Sequence, residues 1–106
     1  MSADRSADIR RYQELKQLLT EVRAKREAKA TDFSDVQNKA KKLATEMTAA
    51  LKAQRTAGQP AKQHLLWAVR DELPRMMKED PSVETQQEKN FSDRLSNAAR
   101  YLNIKD

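Results

Sequence analysis

The chain has no cysteine, a single glycine and three prolines in 106 residues, and its aromatic side chains are two Phe, two Tyr and one Trp. Without cysteine there are no disulfides, no thiolate metal sites and no cysteine nucleophile. So little glycine and proline leaves scant material for hairpin turns. The abundant Ala, Lys, Glu, Gln, Arg and Leu favour helix instead. Long apolar runs are missing too. The longest, Leu65 to Val69, is far too short for a membrane span or a secretory leader. These absences predict a soluble cytoplasmic or nuclear protein with no membrane contact. Recognisable chemistry is equally sparse. The sequence holds no Gly-rich phosphate loop, no nucleophile elbow and no His/Asp/Glu cluster at metal spacing. The expectation is therefore a protein that is not an enzyme, with no cofactor and no metal site.

What is present is charge and helical periodicity. Mean hydropathy is −0.97, and 35% of residues are charged, a composition that borders on disorder. The apolar residues nevertheless fall into stripes rather than scattering, which argues for folded helices. A length of 106 residues predicts one domain, residues 1–106, with a lean, alanine-rich core. A partner protein or a second copy of the chain would add buried surface to such a core.

Four helices are expected, over residues 7–29, 35–57, 61–79 and 82–103, after a frayed N-terminus at 1–6. The first carries Ile9, Tyr12, Leu15, Leu19 and Val22 on one face, with Ser6 as N-cap. Its basic end, Arg23, Lys25, Arg26 and Lys29, reads as solvent-facing. Ser34 and Gln37 suggest a capping box, with Phe33 as the staple residue. The second helix places Val36, Ala40, Leu43, Met47, Ala50 and Leu51 together. It ends at Gly58-Gln59-Pro60, where glycine suits a left-handed cap and proline stops continuation. In the third, Leu65, Leu66, Val69, Leu73, Met76 and Met77 share an arc of about 120°, the widest apolar face in the chain. Pro74 should bend or split that helix near Leu73. The fourth has only the narrow stripe Phe91, Leu95, Ala98 and Leu102. Short connections favour an all-α up-down four-helix bundle. A three-helix core with a peripheral or mobile fourth helix is the alternative.

Two surfaces are candidates for binding. Trp67 lies opposite the centre of the third helix's apolar arc, near Pro74 and Lys78 on the wheel, and His64 also falls outside the arc. An aromatic on a polar helix face is either covered by another segment or anchors a partner. His64, Trp67, Pro74 and Lys78 form the candidate protein-binding surface. A lone helical histidine also invites comparison with phosphotransfer histidines. The bulky Leu65-Leu66-Trp67 that follows lacks the small, Lys- and Gly-containing segment which exposes such an imidazole.

The second surface is electrostatic. Residues 1–62 hold fourteen Lys/Arg against eight Asp/Glu, and residues 63–106 hold seven against eight. Between Val36 and Arg70 the only acid is Glu46. Lys41, Thr45, Lys52 and Arg55 recur at three- and four-residue multiples on the face away from Leu43 and Met47, a line that suits successive phosphates or an acidic protein. Aromatic residues interleaved for base stacking are missing from it. The sequence thus predicts an interaction module (an adaptor, regulator or assembly subunit) that binds another protein, acidic in one version. A nucleic-acid accessory role is the alternative, and self-association through the third and fourth helices is a third reading.

Overall fold

The computed structural model describes residues 2–30, 32–54, 60–78 and 86–104; the side chains of 2–5, 53, 54 and 78 lie outside that set. The sequence stripes become helices α1 (Ser2–Glu27), α2 (Ser34–Gln54), α3 (Pro60–Trp67), α4 (Leu73–Lys78) and α5 (Gln86–Leu102). A π-helical turn, Ala68–Glu72, joins α3 to α4, so the two form one long element. Among the described residues the fold is all-α.

The order of packing follows the order of the chain. α1 contacts α2, α2 contacts α3 and the π turn, α3 contacts α5, and α5 returns to α1. Ion pairs fix the directions. Arg10 meets Glu46 and Lys39 meets Glu21, so α1 and α2 run antiparallel. Glu72 meets Arg94 at the middle of α5 while His64, earlier in the chain, meets Tyr101 at its C-terminal end, so α5 runs against the third element. Such neighbours in sequence order are consistent with a four-helix bundle, the architecture expected of short connections. α1 has 26 residues, which at about 1.5 Å per residue nearly fills the molecule's 42 Å long axis.

The interior is built from the stripes. Tyr12, Leu15, Leu19 and Val22 of α1 meet Val36, Leu43 and Met47 of α2. Leu65, Leu66, Val69, Leu73 and Met76 come from the third element, and Phe91, Leu95, Ala98 and Leu102 from α5. All are buried in one cluster. The fourth helix is thus fully docked through its narrow stripe. The apolar stripes of the third element and α5, candidates for a core between two copies, are buried within a single chain.

Pro74 acts less simply than a bend. Proline has no N–H and its ring crowds the carbonyl one turn earlier. The chain answers by widening the preceding turn, with the Leu73 N–H donating to the carbonyl of Ala68 five residues back. The extra residue spreads burial around the rod, adding Ala68 and Glu72 to the expected arc. It also carries Pro74 out of the line with Trp67 that a regular wheel implies.

Helix ends depart from expectation in informative ways. α1 begins at Ser2, so Ser6 and Asp8 stand within the helix. At its other end Arg26 is buried against Glu88 of α5, 3.6 Å away, instead of facing solvent. Lys29 closes α1 in the left-handed region, φ 57°. Its N–H donates to Arg26 O and that of Ala30 to Lys25 O, a Schellman pair without glycine. Asn103, φ 58°, repeats the device for α5, and Ile104 packs on the core behind it. Before α2, Asp32 takes the capping role assigned to Ser34. Its Oδ1 accepts from the Ser34 N–H at 2.9 Å and from Ser34 Oγ at 2.6 Å. Phe33 packs against the core as a staple should. Gly58, Gln59 and the connection at 79–85 lie outside the described residues.

Candidate functional site

The groove between α3 and α5 gathers the rare side chains. His64 meets Trp67 edge-to-face, with centroids 5.3 Å apart and planes at 86°. It also stacks on Tyr101 of α5 at 5.9 Å with planes 16° apart. The Arg94 guanidinium lies 4.7 Å from the centroid of the Trp67 ring. Arg94 is fixed in turn by Glu72, whose Oε2 accepts from its Nε at 3.3 Å. Because α3 and α5 run antiparallel, residues distant in sequence align as a ladder along the seam.

The π turn supplies the base of this ladder. Glu72 is buried beside Arg94, and Arg75 lies 3.8 Å from its Oε1. A buried carboxylate needs such cations to offset its lost hydration. Next to it Arg70 forks onto Asp71, at 2.9 Å and 3.1 Å. That hydrogen bond holds the Asp71 carboxyl below its ordinary pKa, outweighing the opposing effect of burial. On His64, burial and then the nearby Arg94 charge disfavour the imidazolium and lower its pKa below the usual histidine value. Its Nδ1 is buried without a hydrogen-bond partner.

Of the expected protein-binding residues, His64 and Trp67 are brought together. Trp67 is half-covered, and Arg94 occupies a ring face. Pro74 is half-buried; its contribution is to the π turn beneath the cluster. Lys78 closes α4, with its side chain outside the described set. The residue that sequence reasoning missed is Tyr101. It is 59% exposed and the only large apolar side chain among the described residues left so open. The signal was available, since Tyr101 falls off the Phe91/Leu95/Ala98/Leu102 stripe as Trp67 falls off its own. Beside it a cavity of about 320 Å³ is lined by Asn97, Arg100 and Tyr101.

On the second surface, Lys41, Thr45 and Lys52 are exposed along α2; Arg55 lies outside the described residues. Lys62, counted with the basic residues of this segment, is fully buried and 3.9 Å from Asp8. Asp8 also accepts from Arg11 at 2.6 Å. Glu46 is drawn inward to Arg10 and Arg11, at 2.6 Å and 2.9 Å. Burial pushes the Glu46 carboxyl up, but hydrogen bonds from Arg11 and Arg10 prevail and hold it below its ordinary pKa. These contacts leave the lone acid of the segment unable to balance Lys41 and Lys52.

Among the described residues no group of three His, Asp or Glu side chains is placed to hold a metal ion, and no helix is long and apolar enough to cross a membrane. The chain matches no family model, no curated protein and no solved structure.

Proposed function

We propose that this chain is a non-catalytic helical interaction module that binds another protein through the seam of α3 and α5, with Tyr101 as anchor. The observation that carries this reading is the state of Tyr101. Its ring is open to solvent yet stacked on His64, which rests on Trp67 and so on the Arg94–Glu72 pair. A large aromatic held in place loses little further freedom on binding. Tyr, Trp and Arg are also the residue types that dominate protein interface energies. Glu72, the buried acid of the seam, is engaged by arginines, which suits a structural role better than proton transfer.

Affinity capture from the source cell tests the reading. The wild-type chain should retain a specific protein after nuclease treatment and in raised salt, and Tyr101→Ala should lose it. Retention by Tyr101→Ala would refute the site.

A second reading, nucleic-acid binding by α2, is favoured by the exposed, unbalanced Lys41 and Lys52. It predicts capture abolished by nuclease, steep salt dependence, and a shallower salt slope in Lys52→Glu.

A further inference from the structure

We infer that the seam recognises an acidic peptide segment, one carboxylate beside an aromatic or other flat apolar side chain; this rests on the protein-binding reading above. The inference comes from the charges around Tyr101. Its sequence neighbour Arg100 is exposed, and no carboxylate among the described residues pairs with it. The other described arginines of the seam and its π turn have carboxylate partners: Arg94 and Arg75 at Glu72, and Arg70 at Asp71. Among the described residues, Arg100 thus stands without a carboxylate partner at the notch lined by Asn97, Arg100 and Tyr101.

Each feature of the notch has a counterpart in such a segment. A guanidinium fork takes a carboxylate with two parallel hydrogen bonds. The ring face of Tyr101 turned away from His64 accepts a flat apolar group. The Asn97 amide, with one acceptor and two donor hydrogens, matches the N–H and C=O of a peptide backbone. A phosphodiester chain fits less well. It needs cations in a row, whereas Arg100 is the one cation among the described residues that line the notch.

Trp67, the single tryptophan, reports on this site by its fluorescence. The probes are a random copolymer of glutamate and tyrosine, its lysine–tyrosine counterpart, polyglutamate and oligothymidylate. The glutamate–tyrosine copolymer should bind at least about ten-fold more tightly than polyglutamate or the lysine–tyrosine copolymer. Arg100→Glu and Tyr101→Ala should each weaken it by about ten-fold, the loss of one charge-assisted or aromatic contact. Lys52→Glu should leave it nearly unchanged, and circular dichroism should show all three variants folded.

Equal binding of the lysine–tyrosine copolymer, no effect of Arg100→Glu, or no binding of any polymer would overturn the acidic specificity while leaving Tyr101-dependent capture to stand or fall by itself. Losses in Lys52→Glu alone would move the anion site to α2. Preference for oligothymidylate would overturn both the inference and the reading beneath it.

Discussion

His64 and Asp8 show how one side chain can set a property of the whole fold. The folded chain disfavours the charged imidazole, whereas an unfolded chain binds that proton near pH 6.5. As pH falls through about 6.5, the unfolded state takes up the proton first, and stability declines until the folded imidazole also titrates. NMR of the only histidine should give a midpoint below 6.5, and denaturation midpoints should fall between about pH 7 and pH 5.5. His64→Asn should flatten that fall. A midpoint at or above 6.5 would mean that the His64 stack does not exclude the charged form. Asp8 holds a buried position between Arg11 and the fully buried Lys62. Its removal takes a carboxylate away from two buried cations, although Arg11 keeps Glu46, so Asp8→Ala should cost about 3 kcal/mol in chemical denaturation. Adding Lys62→Met should recover part of that loss. Neither residue's burial could be read from the sequence. A charged residue is counted as surface until tertiary packing places an opposite charge against it, and the partners of Asp8 come from two different helices.

At the scale of elements, the apolar stripes were legible and the helix ends were less so. Stripes repeat over many residues and report the side a helix buries. Ends depend on single backbone conformations. Lys29 adopts a left-handed φ that nothing in its residue type announces. That conformation costs about 1 kcal/mol for a residue with a Cβ, so Lys29→Gly should stabilise the chain by about 0.5–1 kcal/mol in thermal or denaturant unfolding. No gain would argue against the Schellman closure. Pro74 signalled a disturbance correctly but not its form. A bend and a π turn both answer the missing N–H, and the proline alone does not select between them. Tyr101 was legible in principle, because it departs from its helix stripe as Trp67 does. Only packing reveals that His64 of a different helix supports it.

At the scale of the molecule, the chain uses its apolar stripes internally and leaves its surface to charge. Phe91 of α5 is fully buried, so Phe91→Ala should cost about 3–5 kcal/mol and loosen the fourth helix with the rest of the fold. With those stripes covered, sedimentation at two concentrations should give the same monomer mass. A concentration-dependent mass that vanishes in Tyr101→Ala would make a second copy the occupant of the seam. The two exposed features, Tyr101 with Arg100 on one side and Lys41 with Lys52 on α2, predict opposite responses to salt and nuclease.

The most direct test of the seam as the binding face is photo-crosslinking in the source cell with a benzophenone amino acid placed at position 101 or at position 52. The seam account predicts a discrete protein adduct from position 101 that resists nuclease, and none from position 52. Adducts from position 52 alone, or adducts that disappear with nuclease, would contradict it.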